Sequence, residues 1–364
     1  MKFPKPGYGF AAITTLVIAT LGWLPVKGLS LRFAKQLLSE LTLLTVLFVC
    51  FLRNKWLKLF SVWCVLSAIP HYSKWCHLAL MTLFIHLMLY EWVSRNLNRE
   101  RIEKILNAIC VMSLLQTLWM ILQSLNIWIL VYSTGRYPGM AFGFQDHSNL
   151  AAAVLALSLP AFFRPKWNLF IPFIWVGLFL SKSMGGIVPG VLVTLGYVLV
   201  RFNGRKLSLF LFLCLFFVLG AVYITFFEDL SLVFRDQGRF WTWTNIFQKM
   251  VSQKWMFGWG IGEFKIKWME IYPTTTEPFM QAHNDYLQVW SEIGLVGLVI
   301  ILGFIFSVCY RYFKKPGKNE YYHIAFAGFI VTVLNAFVNF LFHTPVALIS
   351  LVYLAIIQFY ELET

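Results

Sequence analysis

Long apolar runs alternate with short clusters of charge along most of the chain. A bilayer span needs roughly 17–25 mostly apolar residues. Twelve runs approach or meet that length: 8–26, 34–52, 56–70, 77–93, 105–125, 148–163, 167–182, 185–201, 207–227, 284–313, 322–342 and 345–361. Runs 56–70 and 167–182 are short for a span, and 284–313 is long enough to begin above the bilayer. Run 8–26 lacks a small-residue cleavage site and reads as a retained first span, not a signal peptide. The pattern predicts an all-α polytopic membrane protein of about 12 transmembrane helices. Residues 1–364 are expected to form a single integral membrane domain.

Composition agrees. Hydrophobic residues make up 59% and charged residues 13%, against about 45–50% and about 25% in soluble domains. Many Trp and Tyr flank the apolar runs, as interfacial belts do. The six cysteines (Cys50, Cys64, Cys76, Cys110, Cys214 and Cys309) lie in or beside apolar runs without metal-ligand spacing. They read as small buried hydrophobes.

The net charge of +14 invites a nucleic-acid reading, but the positions of the cations oppose it. With the N-terminus inside, 18 of the 30 Lys and Arg fall on inner segments and 6 on short outer ones. The other 6 lie in one long polar segment, 228–282. This bias follows the positive-inside rule. It puts both termini in the cytoplasm and 228–282 outside, as one large outer loop between helices 9 and 10. With the head of the next run, that loop holds half of the 16 acidic residues. Long loops in compact proteins are functional or disordered, and this one is rich in aromatics, which argues against disorder. No internal repeat of the kind seen in two-halved transporters stands out.

Inside the loop, 235–264 reads as a helix followed by a turn. Phe240, Trp243, Phe247 and Met250 recur at helical spacing, as on a helix lying in the membrane interface. Gly258, Gly260 and Gly262 follow. No strand precedes this GxGxG string and no Lys-Ser/Thr follows it, so it reads as a sharp turn or close backbone packing, not a nucleotide loop. Arg239 opens the helix. It is either a solvated interfacial cation or a bidentate phosphate clamp. His283, followed by Asn284 and Asp285, stands at the mouth of run 284–313. It is either a packed or capping residue or a general base suited to neutral pH.

Taken together, these motifs point to a family. "HNDYLQVWSEIGLVG" (283–297) resembles the His-Asn-x-Tyr/Phe-Leu…Glu-x-Gly signature of the O-antigen ligase and polymerase superfamily. "GRFWTW…FGWGIGEF" (238–264) resembles its upstream Arg-helix-Gly-x-Gly element. "RYPGMAFGFQDHSNLAA" (136–152) and "SKSMGG" (181–186) are similar to its earlier Gly-x-Phe-x-x-x-Asn-x-x-Ala and Ser-Arg-Gly elements. The resemblance implies a bacterial cytoplasmic (inner) membrane glycosyltransferase of the cell envelope, with its active site facing the periplasm. It implies that a glycan moves from undecaprenyl pyrophosphate to an acceptor hydroxyl on a glycan, lipid A-core or protein, as in lipopolysaccharide and polysaccharide biosynthesis. No metal or other cofactor is implied, and no nucleic-acid partner. Arg239 would steady the pyrophosphate leaving group, and His283 would take the acceptor's proton. Direct displacement implies inversion. A ligase moves a finished glycan and a polymerase joins lipid-linked repeats; both fit.

One element departs from the pattern, because Lys182 stands where the family has an Arg. It is either a second phosphate contact or a snorkelling membrane-edge lysine. Arg136 is another candidate cation. Asp146 and His147 stand where smaller polar residues are common, and Asn149 is expected to cap run 148–163. Asp285 is a supporting candidate. Glu292, about two helical turns beyond His283, either orients groups in the cavity or pairs with an Arg such as Arg239. A lipid-glycan transporter is the rival reading. It predicts charges deep in several spans, whereas here they sit mainly at span ends.

Overall fold

The computed structural model describes residues 52–68, 73–127, 141–145, 147–201, 239–271, 281–314, 319–344 and 346–363. Its helices are α1 (Lys55–Ala68), α2 (Lys74–Asn96), α3 (Arg99–Ser124), α4 (Ser148–Phe162), α5 (Ile171–Leu180), α6 (Met184–Arg201), α7 (Arg239–Lys249), α8 (Phe264–Ile271), α9 (Asp285–Lys314), α10 (Glu320–Asn335) and α11 (Ala347–Glu363). No strand occurs among the described residues. Nine of the twelve expected runs coincide with helices. Runs 8–26 and 207–227 and nearly all of 34–52 lie outside the described residues. Of the long segment 228–282, the structure describes α7, a π-helical turn over Met250–Lys254, the glycine turn and α8.

Residues Trp75–Asn96, Arg99–Ser124 and Asp285–Lys314 are helices long and apolar enough to cross a membrane. Their exposed sides fit hydrocarbon. On α9 the exposed positions include Val299, Leu302, Phe306, Tyr310 and Phe313, spaced three and four apart. Such a stripe is costly in water and compatible with lipid.

The chain divides into two compact units. The first comprises Met1–Trp92, Thr244–Gln281 and Leu287–Phe313, and the second Val93–Trp243, Ala282–Tyr286 and Lys314–Thr364.

The second unit is built round α4. Its sequence, SNLAAAVLALSLPAF, is rich in small residues, and 14 of its 15 residues are buried. Small side chains let neighbouring helices approach closely, and α3, α5, α6 and α10 all pack on it. Just past the C-terminal end of α4, Arg164 is buried, although the charge pattern treats it as a loop cation. Its Nε donates to Ala161 O at 2.9 Å and its Nη1 to Asn107 Oδ1 at 2.9 Å. Tyr353 Oη on α11 donates to Leu157 O at 2.8 Å. Cys110 is buried among these groups.

The first unit has its own apolar core, including Leu52, Val65, Leu80, Phe84, Leu87 and Ile293, with Cys64 and Cys76 among them. Its central problem is a break in α9 at Gly294, where φ is 73° and ψ −177°. A break in an apolar helix leaves backbone carbonyls without partners, and in a membrane no water replaces them. The glycine turn supplies the missing donors. Trp259 N donates to Ser291 O at 2.8 Å, and Gly260 N to Glu292 O at 2.7 Å. Trp63 Nε1 donates to Ile293 O at 2.7 Å. In return Leu295 N donates to Trp255 O at 2.9 Å. The Glu292 carboxylate accepts from Gly262 N at 2.9 Å and from Gln288 Nε2 at 3.0 Å. Glu263, in the same turn, accepts from Ser73 Oγ. The Gly-rich string thus heals a helix break, as close backbone packing requires.

Of the apolar face expected on α7, Trp243 is half-buried and Phe247 exposed, and Met250, just past the helix, is buried. Ile246 and Met250 are buried beside Thr242, at spacing four, whereas Phe247 and Trp241 are exposed.

Gly294→Ala would drive a Cβ into Met256 O at a left-handed φ. It is expected to cost about 2–4 kcal/mol, read as a fall in the apparent Tm of the detergent-solubilised protein. At Gly196 on α6 a Cβ would meet nothing within 4 Å. Gly196→Ala is therefore expected to be neutral or to gain about 0.5–1 kcal/mol.

Candidate active site

The second unit brings the starts of several helices to one cluster. Its frame is the chain after α10. The apolar pattern reads 322–342 as one span, yet α10 ends at Asn335 and residues 336–341 form a turn. Asp285 closes that turn from both ends. Its N–H donates to Ala336 O at 2.8 Å, and its Oδ2 accepts from Leu341 N at 2.9 Å. Tyr286 Oη adds a bond to Val333 O at 2.9 Å.

His283 precedes this clamp with φ of 51°, a left-handed conformation uncommon outside glycine. The residue before it is fixed by α7, because Trp243 Nε1 donates to Ala282 O at 2.8 Å. One turn earlier on α7 is Arg239, whose Nη1 donates to Val338 O at 3.4 Å. The ring of His283 meets Phe340 edge-on, with centroids 4.8 Å apart. Arg239 and His283 are therefore held on two residues of a single turn, either side of Asn339. Asn284 is buried between His283 and Asp285.

On another wall, His147 caps α4. Residue 147 is extended, and its Nδ1 accepts from Asn149 N at 3.0 Å. This corrects the expectation that Asn149 is the cap: Asn149 already lies inside the helix, where its own side chain cannot reach back to cover the first turn. Its Nδ2 is instead buried with no hydrogen-bond partner among the described residues.

Lys182 lies in the turn between α5 and α6, half-buried and also left-handed, with φ of 51°. Its N–H donates to Phe179 O at 2.9 Å. Two glycines follow. A Cβ on Gly185 would lie 2.9 Å from Asn339 Nδ2, and one on Gly186 would press into Ala152 of α4. The start of α6 thus fits between α4 and the 336–341 turn only because both positions lack side chains.

Electrostatics sets the state of His283. Burial, first, then the positive charge of Arg239 and the His147 ring push its pKa from 6.5 down to about 3. A charged imidazole is disfavoured both by loss of water and by like charge. The ring is therefore neutral at physiological pH and able to accept a proton.

The remaining candidates fall elsewhere. Glu292 belongs to the first unit, where its carboxylate holds the glycine turn. Arg136 and Asp146 lie outside the described residues. Sequence reasoning missed Val338, Asn339 and Phe340. The available signal was Asn335 and Asn339, two amides four residues apart within an apparently apolar run.

Residues 147–302 match the model of a family described as O-antigen ligase. This segment contains Asn149, Lys182, Arg239, His283 and Glu292. No curated protein matches the chain. Its long apolar helices and this match mark an integral membrane protein, and residues 147–302 are similar to the O-antigen ligase family, in line with the superfamily that the motifs resemble.

Proposed function

We propose that the protein transfers a glycan from a lipid pyrophosphate, undecaprenyl pyrophosphate in a bacterial cell, to an acceptor hydroxyl at the outer face of the cytoplasmic membrane. One observation carries this reading: Arg239 and a neutral His283 are held on Val338 and Phe340 of the same turn. The match of residues 147–302 to the O-antigen ligase family supports the broader class, a ligase- or polymerase-type membrane enzyme with glycan and lipid substrates.

The chemistry follows from the two side chains. The acceptor oxygen attacks the anomeric carbon. As that bond forms, the bond from carbon to the pyrophosphate oxygen breaks, and its electron pair leaves with the pyrophosphate. The guanidinium of Arg239 faces this growing negative charge, which a fixed cation stabilises more in the transition state than in the ground state. The acceptor's proton passes to His283. Bound pyrophosphate offsets the positive charge of Arg239, so the imidazole becomes a stronger base when the donor is in place. A single displacement inverts the anomeric configuration.

The other candidates have supporting roles. The starts of α4, α6, α7 and α9 are drawn on for this cluster, and helix N-termini favour anions. Lys182 serves as a second, point-charge contact to phosphate, and Arg136 is a further candidate. Asp285 and Asn284 hold His283 in place. Glu292 acts indirectly, by fixing the glycine turn.

The test is release of undecaprenyl pyrophosphate from a lipid-linked oligosaccharide by the purified protein, with candidate acceptors. His283→Ala is expected to lower the rate by about 10²–10⁴-fold, and Arg239→Ala by about 10²–10³-fold. Equal rates for wild type and both variants would sink the proposal. A ladder of products identifies a polymerase and a single transfer a ligase.

The pH profile is a second test. kcat/KM reports the free enzyme, in which the His283 pKa is about 3. Its base form is then complete well below the ordinary value of 6.5, and protonation removes it only as pH falls toward 3. kcat/KM is expected to stay level from pH 7.5 to 5, whereas an ordinary histidine would cost about tenfold per unit below pH 6.

A further inference from the structure

Three consecutive residues of the 336–341 turn face the cluster, and only the outer two have an evident task. Val338 O takes Arg239, and the Phe340 ring takes His283. Asn339 lies between them with no exposed surface. Its amide is oriented by a ladder. Asn335 Nδ2 donates to Val331 O at 3.3 Å, and Asn339 Nδ2 donates to Asn335 Oδ1 at 3.0 Å. The ladder leaves Asn339 Oδ1 at its open end, buried with no hydrogen-bond partner among the described residues.

A buried acceptor without a donor is uncommon and calls for an explanation. Asn149 presents the complementary case. Its Nδ2 is a buried donor with no acceptor among the described residues, because His147 took over the cap. The two amides flank the start of α6. Gly185 abuts Asn339, and Gly186 abuts Ala152, one turn beyond Asn149 on α4.

We propose that Asn149 and Asn339 are the hydrogen-bonding ends of a sugar subsite beside Arg239 and His283. The ligand class is a hexose ring carried on the lipid pyrophosphate, with neighbouring hydroxyls. One hydroxyl donates to Asn339 Oδ1 and another accepts from Asn149 Nδ2. A phosphate has no proton to give Asn339 once ionised, so the open acceptor selects the sugar and not the pyrophosphate. The inference rests on the glycosyl-transfer reading and adds to it two residues that fix the donor sugar.

The test measures dissociation constants of the full-length protein in detergent for dodecyl pyrophosphate and for dodecyl pyrophosphate carrying glucose, galactose or N-acetylglucosamine. Wild type is expected to bind at least one sugar-bearing probe about tenfold more tightly than dodecyl pyrophosphate. Asn339→Leu and Asn149→Leu, which keep much of the volume, are each expected to remove most of that gain and to leave dodecyl pyrophosphate affinity within about twofold. That retained affinity also reports an intact fold. Arg239→Ala is expected to weaken every probe. If Asn339→Leu keeps the sugar gain, or loses dodecyl pyrophosphate as well, the subsite is wrong while the Arg239 result still stands. The subsite also fails if no sugar-bearing probe gains over dodecyl pyrophosphate in wild type. If Arg239→Ala binds all probes as wild type does, the glycosyl-transfer reading itself falls.

Discussion

Asp285 closes the turn after α10 from both ends, and the candidate site depends on that closure. One backbone N–H reaches Ala336 and one carboxylate oxygen reaches Leu341. Between these anchors lie the carbonyl that takes Arg239, the amide of Asn339 and the ring that takes His283. A hydrogen bond is electrostatically stronger in a dry, low-dielectric setting than in water. The carboxylate is buried, so the clamp is little screened by solvent. It converts a loose connection between two helices into a wall with fixed groups.

The first unit solves a related difficulty by other means. Its long apolar helix is interrupted at Gly294, and the interruption exposes carbonyls that a membrane cannot satisfy. Backbone N–H groups of the glycine turn, and the indole of Trp63, supply the donors. Glu292 then ties the turn to the helix through Gly262. In both units, irregular backbone is tolerated because protein groups replace water.

The long apolar runs, His283 and Arg239 as candidates and the close backbone packing at the glycines were legible in the sequence. Each depends on local period or residue type. The hidden parts depend on contacts between distant segments. Run 322–342 reads as continuous because Phe337, Val338, Phe340 and Leu341 are apolar, yet the helix ends at a buried Asn pair and a turn tied to a carboxylate 56 residues before Leu341. The cap of α4 went to His147 because ring geometry decides reach, and spacing does not reveal it. Arg164 counted as a loop cation because charge patterns carry no record of Asn107, which receives it. Along α7 and its π-helical end, Thr242, Ile246 and Met250 are buried; of these, apolar spacing had singled out only Met250.

Lys182 and His283 share one backbone feature, a left-handed conformation at a residue with a full side chain. Each costs on the order of 1–3 kcal/mol where nothing offsets it. Glycine would adopt either conformation freely. Directed evolution for heat resistance alone would therefore drift toward glycine at these two positions. Variants selected that way would survive hotter conditions with the imidazole and the ammonium gone. The two strained positions mark where durability and chemistry pull the sequence in opposite directions.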